Sequence, residues 1–291
     1  MRAILVWLTD VRKPKRAQSF AEARDKLSTL EWLNVRFVRW TFNSPTCSAL
    51  MTWAQRIIGA GWVHLCTKNI RQVHGLERIE DVLRGQESAI FVSNHRSFFD
   101  MYVINTVLYR AGFNQRMLFP VRSKFFYDHP LGFFVNLIMS WFSMYPPVFR
   151  DRKKAVLNHV AFTELAQDLS GGRSVGLHPE GTRNLGDDPY TFLPAQSGIG
   201  RLIQLAGVKV VPIFINGLGN DLKRQVRGNF DGTGDTVIVV FGEPVDFGQM
   251  LSEDAGPKAY KAIAEQTMLK VAELGQEEKA HRAALSKTQN V

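Results

Sequence analysis

The sequence predicts an α/β protein built on a mixed, largely parallel β-sheet flanked by helices. Two observations carry this reading. From residue 70 onward, short β-rich runs alternate with stretches of helical length. The runs are apolar at consecutive positions, as strands buried on both faces are. A third observation sets the first 70 residues apart, because they read as helical throughout. The chain therefore divides into an amino-terminal helical segment, 1–70, and an α/β domain, 71–291.

The strands are expected at 70–73, 89–93, 117–121, 174–178, 208–215 and 236–241. Helical stretches between them cover 98–111, 131–144, 153–170 and 196–206. A closing helix runs over about 257–274, where Tyr260, Ile263, Thr267, Val271 and Leu274 share a face. The glycine-rich run 228–234 (GNFDGTG) reads as a turn, and the polar tail after Gly275 is expected to fray.

Composition excludes several function classes. Hydrophobic residues make up 45% of the 291 and charged residues 22%, a balance typical of a folded chain. Two cysteines, Cys47 and Cys66, exclude a disulfide framework and a four-cysteine zinc site. The seven histidines form no HExxH or closely spaced ligand pair, so no metal is implied. Lys and Arg number 36 against 27 Asp and Glu, a net charge of +9 that favours an anionic partner. No zinc-finger, RNP1 or basic-zipper pattern supports nucleic acid. Twenty Phe and six Trp favour an acidic membrane surface instead.

The apolar run 3–8 is too short for a signal peptide; Asp10 stops it, and a basic stretch, 12–16, follows. Further on, Leu30, Leu33, Phe37 and Trp40 follow helical spacing, with Arg36 and Arg39 among them. Such a helix suits the water–lipid boundary, with rings and methylene stems in lipid and polar tips in water. The competing reading packs that face on a core and leaves the arginines solvated. Two segments are candidates for entering a bilayer: 47–66, interrupted by Gln55, Arg56 and His64, and 131–149, which is uncharged. Pro146 and Pro147 cap the second at about four helical turns, or about 22 Å, which favours burial or dipping into one leaflet over a span.

Two clusters can carry chemistry. The first, 93–100 (SNHRSFFD), follows the strand AIFVS directly, at a strand end of the kind that opens into a ligand crevice. His95 and Asp100 cannot face each other from one regular helix. They can if His95 lies in the turn and Asp100 in the first helical turn, where a carboxylate orients an imidazole as a general base requires. Of the seven histidines, only His95 has an aspartate five residues on. The second cluster, 174–184 (SVGLHPEGTRN), is again a strand entering a turn on the same sheet edge. There Gly181 lets backbone approach a ligand and Arg183 can hold a phosphate bidentately. Glu180 can bind a hydroxyl or pin that arginine.

These two clusters resemble the NHxxxxD and FPEGTR signatures of the glycerophospholipid acyltransferases, typified by 1-acylglycerol-3-phosphate acyltransferase. NHRSFFD (94–100) and HPEGTRN (178–184) carry the likeness. VFRDR (148–152) resembles the arginine block between them, and VVPIFI (210–215) resembles the apolar V-P-I strand after them. Ser123-Lys124-Phe125-Phe126, followed by Pro130 and Gly132, resembles a further stretch, so the likeness spans about 70–245. It implies that His95 deprotonates an acceptor hydroxyl, that Asp100 orients its ring, and that the hydroxyl attacks an acyl thioester. It also implies that Lys124, Arg152, Glu180, Gly181, Thr182 and Arg183 bind the glycerol phosphate, with Arg152 preferred over Arg150. Backbone N–H groups of the 94–98 turn are the first guess for an oxyanion hole. Three departures stand out. His178 replaces a phenylalanine, the arginine block reads FRDR, and LPAQSG (193–198) lacks the family lysine near Gln196.

Two decoys fall away. Gly172-Arg173-Ser174-Val175-Gly176 matches the GxSxG elbow of serine hydrolases, but here a helix precedes it and a strand follows, the reverse of what the elbow needs. Gly217-Leu218-Gly219 lacks the third glycine of a dinucleotide loop. The expected activity is transfer of a fatty acyl chain from acyl-CoA or acyl-ACP, as co-substrate and with no bound cofactor, to a lysophospholipid hydroxyl in phospholipid biosynthesis. The expected acceptor is 1-acylglycerol-3-phosphate. The alternatives are a lyso-aminolipid, glycolipid or glycerol 3-phosphate acceptor, or a non-catalytic lipid-binding protein. The expected site of action is the cytoplasmic face of an anionic membrane, reached peripherally or monotopically through residues 1–70.

Overall fold

Successive side chains of a strand leave on opposite faces, so a strand buried throughout must be covered twice. In β2 (Ala89–Ser93) every residue is buried. Ile90 and Val92 enter one apolar cluster, while Ala89 and Phe91 enter another. The structure is a computed structural model that describes residues 19–252 and 254–288. The apolar run 3–8 and the basic stretch 12–16 lie outside the described residues.

The remaining strands are β1 (Arg71–His74), β3 (Met117–Leu118), β4 (Val121–Arg122), β5 (Pro147–Val148), β6 (Ser174–Leu177), β7 (Lys209–Asn216) and β8 (Val237–Phe241). One sheet has the order β1-β8-β7-β2-β6-β3, and β4 pairs with β5 apart from it. Every pairing is parallel except β7 with β8. The fold is α/β with a mixed, largely parallel sheet, as the alternation predicts.

In chain order the helices are α1 (Thr29–Asn43), α2 (Pro45–Ala54), α3 (Ala60–Thr67), α4 (Glu80–Arg84), α5 (Asp100–Arg110) and α6 (Ser123–Phe126). They continue with α7 (Pro130–Ser140), α8 (Val156–Ser170), α9 (Ser197–Ala206), α10 (Leu222–Asp231) and α11 (Pro257–Thr288). One face of the sheet is covered by α1, α8, α9 and α11, the other by α3, α4 and α5. Segment 47–66 lies in α2 and α3, joined by a π-turn at Gln55–Gly59. Gln55 turns inward there. Its amide donates to the Met117 carbonyl at 3.1 Å and accepts from the Met117 N–H, closing the edge of the sheet at β3.

Three expectations need correction. The helix at 131–144 ends at Ser140, because Trp141 and Phe142 take positive φ (53° and 59°). The Asn136 and Ser140 side chains then accept from the Met144 N–H. At 11 residues α7 reaches about 16 Å, and among the described residues no helix is long and apolar enough to cross a membrane. The glycine-rich run is only partly a turn, since α10 occupies 222–231 and buried Asn229 ties it to Asn69 and Leu65. The tail after Gly275 stays helical to Thr288. Buried Glu278 holds it, accepting from the Tyr190 hydroxyl at 2.7 Å and from Arg282. On α1, the face of Leu33, Phe37 and Trp40 is exposed, while Val35, Val38 and Phe42 form the packed face. Of the two readings of that face, the one that packs it on a core does not hold, because it points outward.

Candidate active site

The carboxyl ends of β2, β6 and β7 lie side by side, and each runs into a loop at the same edge. Asn94 extends the β2–β7 ladder with its side chain. Its Nδ2 donates to the Ile215 carbonyl at 2.8 Å and its Oδ1 accepts from the Ile215 N–H at 2.9 Å. The backbone leaves the strand just after this clamp, which puts His95 in a turn ahead of α5. Asp100 opens that helix, and His95 Nδ1 stands 3.1 Å from Asp100 Oδ2. Five residues bring the pair together because a turn, not a helix, lies between them.

The same Asp100 oxygen accepts from the N–H groups of Arg96 (2.7 Å) and Ser97 (2.8 Å), which fix the carboxylate. Burial pushes Asp100 up to about 6, opposed by those donors and by the nearby His178 ring. Burial pushes His95 down to about 4, with the charge of Arg183 adding to it. At neutral pH the imidazole is therefore uncharged and the carboxylate ionised. Nδ1–H donates to Asp100, which leaves Nε2 with a free lone pair. That is the tautomer a general base needs.

The second turn is locked to the first. Glu180 is buried; its Oε1 accepts from His95 N–H and its Oε2 from Leu193 N–H, at 2.9 and 2.8 Å. Both oxygens are committed to backbone, so Glu180 holds the turns in place and does not pair with Arg183. Asn184 N–H donates to the His95 carbonyl at 2.8 Å. Gly181 sits at φ 67°, a conformation glycine adopts freely, and its carbonyl accepts from Arg150 Nη2 at 3.1 Å. Arg183 is exposed, with Nη1 donating to Asn220 Oδ1 at 2.9 Å.

Comparison with known proteins follows from this geometry. A family model described as Acyltransferase matches residues 70–216, which contain both turns. The chain belongs to the acyltransferase family. No curated protein matches it. Among solved structures it is similar to the crystal structure of the 1-acyl-sn-glycerophosphate (LPA) acyltransferase PlsC from Thermotoga maritima, at 20% identity and a TM-score of 0.49. That alignment covers 84% of this chain and 94% of the other.

In this acyltransferase the predicted residues are not all equally close to the paired turns. Lys124 is exposed on α6, whose Phe126 ring lies parallel to Phe98 at 6.5 Å, so its segment borders the turn that carries His95. A Cβ on Gly132 would fall 1.7 Å from the Phe125 carbonyl oxygen, which explains the glycine after Pro130. Thr182 is exposed on the second turn. Of the two candidate arginines, Arg150 is the one whose guanidinium reaches that turn; Arg152 makes no hydrogen bond to it. The oxyanion guess loses four of its five donors. Within the 94–98 turn the backbone N–H groups of His95, Arg96, Ser97 and Phe98 are already taken, by Glu180, Asp100 (twice) and Asn220.

Sequence reasoning missed two participants. Asn220, in the loop first set aside as an incomplete dinucleotide motif, accepts from both Phe98 N–H and Arg183. Its signal was position: it follows β7, whose end lies at this same edge. His178 stacks on His95, with centroids 3.8 Å apart and planes within 3°. Its Nδ1 lies 2.9 Å from the Asn94 carbonyl. His95, Asp100 and His178 have the ligand types of a metal site. Rings stacked in parallel planes 3.8 Å apart, however, hold their in-plane lone pairs in separate planes that do not meet at one ion, so the trio does not fit a metal.

Proposed function

We propose that this acyltransferase moves a fatty acyl chain from acyl-CoA or acyl carrier protein to the free hydroxyl of a lysophospholipid, with 1-acylglycerol-3-phosphate as the acceptor. The observation that carries the reading is the His95–Asp100 pair, 3.1 Å apart with Asp100 buried, beside a turn that carries exposed Arg183 and binds exposed Arg150. His95 Nε2 takes the proton of the acceptor hydroxyl as its oxygen attacks the thioester carbonyl. The tetrahedral intermediate then expels the thiolate, which regains that proton from the imidazolium. Asp100 stabilises the imidazolium between the two steps. Arg183 and Arg150, with Lys124 and Arg152 around them, supply the cations for the acceptor phosphate. The backbone N–H groups of Thr182 and Arg183, which have no partner among the described residues, are the donors we assign to the oxyanion. Water-free transfer needs neither a serine or cysteine nucleophile nor a bound cofactor.

Residues 1–70 dock the enzyme on the cytoplasmic face of an anionic membrane in this reading, peripherally or monotopically. The support is an outward apolar surface. Leu33, Phe37 and Trp40 on α1 are exposed, as are Leu50, Trp53, Ile57 and Ile58 after them, and the Phe37 ring lies 5.2 Å from that of Phe133 on α7. On α7 the usual order is inverted, with Leu131, Phe134 and Ile138 exposed while Asn136 and Ser140 face inward. A helix that shows lipid-like groups outside and hides its polar ones suits an apolar surrounding.

One observation favours a second acceptor. Gln196 stands where the family carries a lysine nearby, and its Cγ packs against Gly181, 3.0 Å from where a Cβ would lie. A lyso-acceptor with less headgroup charge suits this uncharged neighbour. The test is thiol release from palmitoyl-CoA across a panel of lyso-acceptors, comparing wild type with His95→Ala. Acceptor-dependent release lost in the variant supports transfer through His95. Release that survives the substitution overturns the mechanism. Silence from both, repeated with acyl carrier protein as donor, overturns the catalytic reading in favour of a lipid-binding protein.

A further inference from the structure

A pocket of about 690 Å³ lies away from the catalytic turns, lined by Phe42, Ser48, Trp53, Arg56, Ile57 and Arg173 among others. Arg173 immediately precedes β6, whereas the catalytic turn follows it, so the two sites occupy opposite ends of one strand. The surroundings of the pocket are rich in guanidinium groups. Arg173 pairs with Asp168 at 2.8 Å and donates to the Phe42 carbonyl. Arg39 pairs with the same Asp168 at 2.8 Å. Arg116 lies 3.9 Å from the centre of the Phe42 ring, its Nη groups on the carbonyls of Thr41 and Trp141. Burial, with Arg173 next, pulls its guanidinium down to about 9, so it remains charged at neutral pH.

The carboxylates do not balance these cations. Asp168 is shared between two arginines, and Glu164, which faces Arg39, has its oxygens on Phe20 N–H and the Tyr145 hydroxyl. Arg56 is half-buried in the pocket wall with no carboxylate or hydrogen-bond partner among the described residues. Partly buried cations without counter-charge raise the energy of the empty pocket, and an anion placed there relieves it. The rim supplies the other half of a ligand's chemistry, because Trp53 and Ile57 are exposed by 53% and 58% and belong to the outward apolar surface.

We propose that this pocket holds the phosphate headgroup of an anionic phospholipid, with Arg56 and Arg173 on the phosphate and Trp53 and Ile57 beside the start of the acyl chains. The lipid source rests on the membrane-docking reading above; the phosphate site itself does not. The bound lipid is an anchor and not a reactant, since the pocket and His95 lie at opposite ends of β6. Arg56 gives a clean probe, because its removal breaks no hydrogen bond or ion pair among the described residues.

Arg56→Gln and wild type are compared in three measurements. Co-sedimentation with phosphatidylcholine vesicles, with and without phosphatidic acid, is expected to show a preference for phosphatidic acid that drops about fivefold in the variant. Titration of tryptophan fluorescence with soluble dihexanoyl phosphatidic acid is expected to saturate for wild type and weaken in the variant; inorganic phosphate competes poorly. The catalytic turns are the same in both proteins, so the difference between them reads the pocket. Acyl transfer in detergent micelles stays at the wild-type rate. If vesicles fail to bind either protein but the soluble lipid still distinguishes them, the docking reading falls and the phosphate site stands. Inorganic phosphate binding as tightly as the lipid overturns the lipid assignment. Equal binding by both proteins to every probe overturns the site.

Discussion

The sheet edge that carries His95 and the outward face of α1, α2 and α7 solve opposite problems. At the edge, polar groups lie inside the protein and nearly every one is engaged. Asn94 completes a strand ladder, Glu180 spans two turns, and Asp100 holds a histidine while its Oδ1 alone lacks a partner. On the outward face, large apolar groups lie outside, and the polar side chains of α7 turn in. The edge gains rigidity from hydrogen bonds that water cannot compete for. The face exposes area that water disfavours and that a second apolar phase would accept. Substitution at the edge should therefore register in turnover and stability, and substitution on the face in partitioning alone.

The largest effect expected at the edge comes from Asp100→Asn. The amide keeps an acceptor for the Arg96 and Ser97 N–H groups but removes the charge that supports the imidazolium, so turnover falls about 10³-fold. The folded value of Asp100, about 6, stands above its unfolded value. Its contribution to stability is therefore full below the unfolded value and lost as pH rises through about 6. Above that pH the buried charge costs stability, so the variant should keep or raise Tm at alkaline pH. In wild type, kcat/KM should fall as pH drops through about 6. A flat profile across that range would break the assignment.

Glu180→Ala comes next. It leaves the half-buried N–H groups of His95 and Leu193 without acceptors, at about 1–3 kcal/mol each, which lowers Tm by about 5–10 °C. Turnover should fall about 10²-fold as His95 loses its fixed position. An unchanged Tm would mean that the turns are held without it. The smallest effect is reserved for the outward face. Phe134→Glu with Ile138→Glu should weaken vesicle partitioning about tenfold and leave Tm and turnover on micellar substrate unchanged. A loss of Tm would show instead that this face packs within the protein.

Local pattern determined much of this molecule. Strands such as 89–93 are apolar on both faces, and that alone requires helices on both sides of a sheet. A histidine five residues ahead of an aspartate, straight after a strand, required a turn between them, and the structure has it. Only tertiary packing decided the rest. Spacing marked Leu33, Phe37 and Trp40 as one face, but periodicity carries no sign, and Val35, Val38 and Phe42 had to meet the sheet before that face could be placed outside. The polar tail after Gly275 looked unable to bury itself, and its helix persists because Glu278 finds Tyr190 across 88 residues of chain. Arg150 and Asn220 enter the site through contacts 31 and 37 residues away in sequence, and His178 meets His95 only because β2 and β6 are neighbours. Period and turn chemistry act over a few residues and can be read along the chain. Which face is covered, and which distant groups meet, depends on strand order, which no local pattern encodes.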